Sequence, residues 1–199
     1  MSEYQDRDDR IFVLKTDHSD CIIFVNQNWL NFAVENGVDE LKEETLLGRP
    51  LWKFISDDST IHLYQTMLSR VREENLSFSI PFRCDSPDYR RFMQMNIIPS
   101  GNGTVSFESR ILKLEPRDHV ELLETDHAHT GEFIRMCSYC NKVFVAGSGW
   151  CDVELAIELL DLFSAEALPQ ITHTICSACY DEFMKALDLR SPHSESDSS

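Results

Sequence analysis

The chain has 199 residues, of which 42% are hydrophobic, and its formal net charge is −16 at pH 7. This length and composition suit one medium-sized domain together with a small second one. No run of about 20 apolar residues is present, which excludes a transmembrane helix. A surface this acidic repels the phosphates of nucleic acids and of anionic membranes, so we expect neither among the partners.

The N-terminal residues and the cysteine content together indicate the cellular compartment in which we expect the protein. The first residues, 1–9, are charged and lack the apolar region of a secretory signal. Seven cysteines, an odd number, are typical of a reducing environment when no export signal is present. We therefore expect a cytoplasmic protein in which paired cysteines act as metal ligands and not as disulfide bridges.

The first predicted elements are two strands followed by helices. Short apolar runs at 11–14 and 21–26 flank a turn and predict a β-hairpin. A helical grouping follows at 27–36, then a short helical turn at 51–55. A longer amphipathic helix, with apolar residues spaced by three and four, reaches from about 58 to 75.

The pattern then changes to strands. Residues 78–84 and 92–98 alternate between apolar and polar side chains, and 105–112 form a last long strand. The Gly-Asn-Gly sequence at 101–103 provides a hairpin turn between the last two strands. The predicted order is β-β-α-α-α-β-β-β, which ends in an antiparallel meander and belongs to the α+β class.

Specific residues in this region match a known sensor module. Asn26 closes the second strand three residues before Trp29, in the manner of the PAS segment Y-V-N-x-x-(F/W). Residues 40–55 are similar to the stretch that opens the middle PAS helices. Residues 8–116 therefore resemble a PAS sensor domain. The resemblance implies an antiparallel five-stranded sheet with flanking helices and, since such domains often dimerise, a homodimer.

A PAS-like domain can enclose a ligand pocket between its helices and its sheet. The residues that we predict to line it are Phe54, Ile55, Met67, Phe82 and Met95. The same side chains are also explained as ordinary hydrophobic core, and this simpler interpretation is favoured. The sequence identifies no ligand for the pocket.

Four cysteines form two pairs, Cys137-x-x-Cys140 and Cys176-x-x-Cys179, with 35 residues between the pairs. Each pair can aim two sulfurs at one point, and four thiolates form the tetrahedron that Zn²⁺ prefers in structural sites. The separation exceeds the usual zinc-ribbon loop of about 15–20 residues, so a folded segment must lie between the pairs. We predict zinc. An iron–sulfur cluster, a redox-active dithiol and two disulfides remain as alternatives.

Two helices are predicted around the second pair. Asp152 is placed to cap a helix that cannot continue past Pro169, and another helix begins near Ala178. Two short helices bury too little surface to fold alone, so a metal is needed to stabilise them. The prediction is a small helical metal-binding module over 135–190, whose loss leaves the PAS-like core folded.

The segments around this module have predicted roles of their own. His173 precedes Cys176 by three residues, so we predict that it supports the metal site without being a ligand. Residues 117–134 are predicted to be a linker between the two parts. The polar residues 191–199 cannot form a core and are predicted to be a disordered tail.

The second half of the chain carries a further resemblance. Its Cys-Ser-x-Cys pair, the Trp150-x-x-x-Glu154 segment and residues 173–179 are similar to those of a largely uncharacterised family of bacterial PAS-like proteins. Thr174 stands where that family has glycine, and Ser177 stands where it has proline. Both differences alter the turn around the second cysteine pair. The resemblance implies a signalling architecture and no particular activity.

No catalytic signature is found. The sequence has no nucleophile elbow, Walker loop or G-x-G-x-x-G motif, so we expect no enzyme. The predicted function is that of a cytoplasmic sensory or adaptor protein, which signals through contacts with an unknown signalling protein. The alternative is a redox or metal sensor in which the four-cysteine site is the responsive element.

Overall fold

The computed structural model describes residues 8–124, 128–163 and 167–189. The predicted tail, 191–199, lies outside these residues. The predicted fold class is confirmed: the chain is α+β, with an antiparallel five-stranded sheet and flanking helices, and the paired cysteines lie near its C-terminus. Within the described ranges, no helix is long and apolar enough to cross a membrane.

The first part of the chain contains five strands, three α-helices and one 3₁₀ turn, in the predicted order except for a short helix at 43–46 that was not predicted. They are β1 Ile11–Thr16, β2 Ile22–Val25, α1 Gln27–Glu35, α2 Glu43–Leu46, the 3₁₀ turn Leu51–Phe54, α3 Asp58–Glu73, β3 Phe78–Arg83, β4 Tyr89–Pro99 and β5 Val105–Pro116. The strands form one sheet in the order β2-β1-β5-β4-β3, and every neighbouring pair is antiparallel. Strand β3 is therefore an edge strand.

Side-chain caps explain where the main helices begin. The carboxamide oxygen of Asn26 accepts from the backbone N–H of Trp29 at 3.0 Å, and its nitrogen donates to the carbonyl of Ile11 at 2.8 Å. The carboxylate of Asp57 accepts from the N–H of Thr60 at 2.8 Å. Both residues satisfy an N–H that the first helical turn would leave unpaired.

The second part contains a second sheet with two helices. Its elements are a 3₁₀ turn Glu121–Leu123, β6 His129–Cys137, β7 Val143–Val145, β8 Gly149–Cys151, α4 Val153–Leu159, β9 Leu168–Thr174 and α5 Ser177–Leu189. The strand order is β8-β7-β6-β9, and β6 and β9 are parallel. The crossover between these two parallel strands contains α4.

Both helices predicted for the metal-binding module are present, but the second part also contains the four strands of the second sheet, which were not predicted. Strands β7 and β8 have three residues each, too few for an alternating pattern to be recognised. Strand β9 carries Pro169 at its second position, and proline in a run argues against a strand. Helix α4 ends at Leu159, and Asp161 adopts a left-handed φ of 54° shortly afterwards, well before Pro169.

The segment predicted as a linker also contains structure. Strand β6 begins at His129, inside the predicted range 117–134, and its first residues are exposed and polar, so no apolar pattern marked it. Val120 and Leu122 are buried in a second hydrophobic cluster with residues of β6, β7, β8, α4 and β9. These contacts anchor the connecting segment to the second sheet.

The main hydrophobic core is shared by both parts of the chain. Leu63 and Met67 of α3 and Ile80 of β3 lie in the same cluster as Tyr139 and Leu187. Leu63, Met67 and Leu187 are 0%, 1% and 4% exposed. Because the four-cysteine part completes the packing of the first part, the structure gives no support to the expectation that the PAS-like core is independent of it.

Candidate metal centre

The structure brings all four predicted ligands together. Cys137 ends β6, and Cys140 lies in the turn before β7. Cys176 immediately precedes α5, and Cys179 is in its first turn. The four sulfur atoms all lie within 4.8 Å of one another. The parallel pairing of β6 with β9 is what brings the second cysteine pair to the first.

The spacing of the sulfurs fits a single metal ion. The sulfurs of Cys140 and Cys176 are 3.8 Å apart. A tetrahedral ion with metal–sulfur bonds of about 2.3 Å sets neighbouring sulfurs about 3.8 Å apart. A cluster of several irons places its own iron and sulfide atoms between the cysteines and needs wider spacing. The donor set and geometry therefore suit one thiophilic ion.

Backbone amides point at the sulfurs. The N–H of Cys176 donates to the Cys137 sulfur, and the N–H of Cys179 donates to the Cys176 sulfur, both at 3.4 Å. The first turn is closed by a bond from the N–H of Cys137 to the carbonyl of Lys142 at 2.8 Å. Asn141 supplies the left-handed residue of this turn, with a φ of 55°. Such N–H donors stabilise the negative charge of thiolates.

These contacts also determine which thiol is the most acidic. Hydrogen bonds from the Cys140 thiol and from backbone amides, those of Cys176 and Tyr139 among them, lower the pKa of Cys137. The pKa of Cys140 is raised because its proton is shared with Cys137, and burial raises the pKa of Cys179. Binding of a metal ion must displace the protons that these thiols still carry.

The two residues that differ from the bacterial family do not prevent assembly of the site. The hydroxyl of Thr174 donates to Oδ1 of Asp57 at 2.9 Å. The carbonyl of Thr174 accepts from the N–H of Ser138 at 2.8 Å. Ser177 is the first residue of α5. Thr174 thus links the second cysteine segment to the N-terminus of α3.

The turn between Cys137 and Cys140 covers the edge of the first sheet. The carbonyl of Tyr139 accepts from the N–H of Arg83, in β3, at 2.8 Å. The side chain of Asn141, with its amide oriented to satisfy both contacts, donates to the carbonyl of Arg83 at 3.1 Å and accepts from the N–H of Asp85 at 3.0 Å. These bonds pair backbone groups that an uncovered edge strand leaves free.

An ion network with a buried centre joins α4 to the end of β5. The guanidinium of Arg117 contacts Asp85 at 3.2 Å and Glu154 at 2.7 Å, and the side chains of Arg117 and Asp85 are 2% and 1% exposed. Arg90 forms a further ion pair with Glu154. No sequence pattern pointed to Asp85 or Arg117, because their partners are distant along the chain.

A cavity of about 460 Å³ lies between the helices and the sheet of the first part. One end of it is formed by Ser138, Tyr139 and His173 of the four-cysteine part. Met67, predicted for the pocket, instead lines a separate cavity of about 240 Å³ beside α5. The other four predicted residues line the larger cavity: Phe54, Ile55, Phe82 and Met95.

His173 lies at the end of the larger cavity, near the metal site. Its ring is not one of the four converging ligands, and no hydrogen bond to a cysteine sulfur is found in the part of the chain that the structure describes. Partial burial lowers its pKa, and the charge of Cys137 opposes this shift. Its supporting role stays a prediction.

Tyr139 is a residue that the sequence analysis missed. Its side chain is 6% exposed, and among the described residues its buried hydroxyl has no hydrogen-bond partner of normal geometry. The Tyr64 hydroxyl is near enough to influence its pKa, which burial raises. The ring packs against Phe183 with centroids 4.5 Å apart. The sequence signal that could have indicated Tyr139 is an aromatic residue between two paired cysteines.

Solved structures of sensor domains resemble about half of the chain. The photoactive yellow protein domain of the sensor histidine kinase Ppr from Rhodospirillum centenum is 14% identical over 50% of this chain and 84% of that one, with a TM-score of 0.37. A sensory box sensor histidine kinase from Vibrio cholerae is 11% identical over 54% of this chain and 86% of that one, with a TM-score of 0.39. A PAS domain of an HTR-like protein from Haloarcula marismortui is 18% identical over 52% of this chain and 83% of that one, with a TM-score of 0.36.

These similarities concern the arrangement of the backbone only. No protein-family model and no curated protein matches the sequence. At such TM-scores the solved structures carry no inference about ligand, partner or activity. What the chain itself shows is a PAS-like order of elements followed by four cysteines at the spacing of a single metal ion.

Proposed function

We propose that the chain is a cytoplasmic sensory or adaptor protein, in which a structural zinc ion holds the four-cysteine part against the PAS-like domain. The observation that carries this proposal is the convergence of four sulfurs within 4.8 Å beside the covered edge of β3. Zinc suits an all-thiolate tetrahedral site, and it carries no redox chemistry of its own. The close sulfur spacing favours a single ion over an iron–sulfur cluster.

The proposed signal passes through contacts with another protein, which is a signalling protein of unknown identity or a second copy of the chain. Two aromatic side chains on the second part offer apolar contact area. Phe133 is 66% exposed and Phe163 is 77% exposed. Aromatic side chains are enriched at protein interfaces relative to the rest of the surface. The acidic charge makes nucleic acid and anionic membranes unsuitable partners.

The proposal contains no catalytic step, and the chain is proposed not to be an enzyme. A catalytic zinc keeps one coordination position open for water or substrate. Four protein thiolates occupy all the positions of a tetrahedral ion. The role that suits this arrangement is to hold two segments of the chain together.

The alternative function is a redox or metal sensor. It is favoured by the lowered pKa of Cys137 and by the partial exposure of Cys140 and Cys179. Hydrogen peroxide oxidises two thiolates to one disulfide: the O–O bond breaks, an S–S bond forms, and two protons are taken up to give two waters. Zinc then leaves the site, since a disulfide is not a ligand of this kind.

Zinc release under peroxide distinguishes the two functions. The purified chain is treated with a small excess of peroxide while a chelating dye reports free zinc. Structural zinc stays bound and the thermal melting curve is unchanged. Rapid release of one zinc per chain, reversed by a thiol reductant, contradicts the structural role and supports the sensor. As a matched pair, Cys176→Ser should lose the zinc, whereas Cys21→Ser, a cysteine outside the cluster, should keep it.

A further inference from the structure

One end of the larger cavity is built from the two segments that carry the cysteines. Ser138 and Tyr139 lie between the ligands of the first pair, and His173 lies three residues before Cys176. A metal ion bound by the four cysteines fixes the backbone of both segments. The shape of this end of the cavity therefore depends on the metal site.

We propose that the cavity binds a small, uncharged aromatic molecule, and that metal bound at the four cysteines strengthens this binding. The proposal rests on the sensory role and the structural metal proposed above. Because linkage between two binding sites is reciprocal, the molecule in the cavity must strengthen metal binding by the same factor. The chain then responds to the metal and to the small molecule together.

The walls of the cavity favour an aromatic molecule. Its lining contains the rings of Phe12, Trp29, Phe54, Phe82 and Phe107. Aromatic rings pack favourably against one another in offset and edge-to-face arrangements. A volume of about 460 Å³ is within the usual range of small-molecule sites, which is about 300–1,000 Å³.

The charges around the cavity exclude an ionised ligand. No lysine or arginine is found among the described residues that line it, so a buried carboxylate or phosphate has no counter-ion. Its carboxylate, Asp57, already accepts hydrogen bonds from Thr60 and Thr174, so a cation finds no free partner. The remaining basic side chain among the described lining residues is His173, and burial lowers its pKa, so a neutral ligand fits this cavity best.

The buried hydroxyl of Tyr139 defines where a polar group of the ligand lies. It interacts with the hydroxyl of Tyr64, which also lines the cavity, and a ligand group that forms one hydrogen bond with this pair gains about 0.5–1.5 kcal/mol. Ser138 lines the same end. We place the hydrogen-bonding group of the ligand at this end and its ring against the apolar walls.

A chain of hydrogen bonds connects the metal site to the part of the cavity wall at the start of α3. Ser138 donates from its N–H to the carbonyl of Thr174 at 2.8 Å, and the hydroxyl of Thr174 donates to Asp57 at 2.9 Å. Asp57 in turn caps α3 through the N–H of Thr60 at 2.8 Å. Asp57, Thr60 and Ser138 all line the cavity. Displacement of the cysteine segments must therefore disturb this wall too.

The chemical class of the ligand is tested by calorimetric titration of the zinc-loaded full chain with 2-naphthol and with 2-naphthoate. We expect 2-naphthol to bind and the charged 2-naphthoate to bind at least tenfold more weakly. Tyr139→Phe should weaken 2-naphthol by about threefold to tenfold, the effect of one hydrogen bond. Tyr180→Phe, a tyrosine of α5 that does not line the cavity, should leave the affinity unchanged. Equal affinity for both compounds, or no effect of Tyr139→Phe, overturns the assignment.

The coupling is tested by measuring zinc affinity, in competition with a chelator, with and without saturating 2-naphthol. We expect 2-naphthol to tighten zinc binding by about tenfold, within the usual range of coupling between sites. Thr174→Val, which removes the bond to Asp57, should reduce this factor while zinc still binds. If 2-naphthol leaves the zinc affinity of the wild-type chain unchanged, the coupling is overturned. If 2-naphthol tightens zinc binding by the same factor in Thr174→Val as in the wild-type chain, the role of the Thr174–Asp57 bond is overturned. Failure to bind zinc at all contradicts the proposed function itself, whereas zinc binding without any 2-naphthol binding contradicts only this inference.

Discussion

The shared hydrophobic core predicts that a substitution near the C-terminus destabilises the first sheet. Leu187 of α5 is 4% exposed and belongs to the same cluster as Met67 of α3 and Ile80 of β3. Its backbone carbonyl also accepts a hydrogen bond from Arg70 of α3. We expect Leu187→Ala to lower the free energy of unfolding of the whole chain, because the cavity it creates lies between the two parts.

The size of the effect follows from what the substitution removes. Leucine to alanine deletes three carbon atoms, which is worth about 2.4 kcal/mol at about 0.8 kcal/mol for each buried carbon. The incompletely filled cavity adds to this, so the total lies in the range of about 2–5 kcal/mol seen for buried leucines. With a urea m-value of about 2 kcal/mol/M, the unfolding midpoint falls by about 1–2.5 M.

Urea unfolding followed by circular dichroism gives the midpoint, and hydrogen exchange of β3 and β4 shows where stability is lost. Leu159→Ala is the matched control, because Leu159 is 47% exposed on α4, and we expect it to cost about 1 kcal/mol or less. Loss of protection in β3 together with α5 supports the shared core. If α5 loses protection while β3 keeps the wild-type value, the two parts unfold independently and the reasoning is refuted.

Two further predictions concern contacts that join the parts. Asp57→Ala removes the cap of α3 and the bond to Thr174, and it should lower the free energy of unfolding by about 1–3 kcal/mol. The control is Asp58→Ala, in the same helical turn. If the two variants have the same thermal melting curve, this role of Asp57 is contradicted. Burial by itself raises the pKa of Glu154, but its backbone amide, Arg90 and Arg117 outweigh burial and lower the pKa overall. Its carboxylate therefore stabilises the fold above its unfolded pKa, and the contribution is lost as the pH falls below about 4. The urea midpoints of the wild-type chain and of Glu154→Gln should differ at pH 7 and converge at acidic pH. A difference between the midpoints that grows as the pH falls contradicts this prediction.

The first part of the fold was predictable because its signals are local. Asn26 closes the second strand where the sequence predicts and caps α1, and the apolar spacing of α3 matches its buried face. The Gly-Asn-Gly turn before β5 adopts positive φ at all three residues, as a tight hairpin turn requires. The four candidate ligands were equally clear, because two C-x-x-C pairs are typical of metal sites, and the structure brings their sulfurs together.

The second sheet was not predictable, because its strands depend on long-range pairing. Strand β6 is exposed over most of its length and is defined by its parallel partner β9, which lies more than 30 residues later. The same reason hid Asp85, Arg117 and Tyr139, whose roles arise only when distant segments meet. The sequence marked Thr174 as unusual for its turn, but its bond to Asp57 could be found only once the relative position of the two parts was known.

The most direct test of the account is X-ray absorption at the zinc edge of the purified full chain, combined with its metal content. The account predicts one zinc per chain, surrounded by four sulfur atoms at about 2.3 Å, and loss of this signal in Cys176→Ser. Fewer than four sulfurs, a nitrogen or oxygen ligand in the wild-type shell, or a metal-free chain that is folded as stably as the loaded one contradicts it.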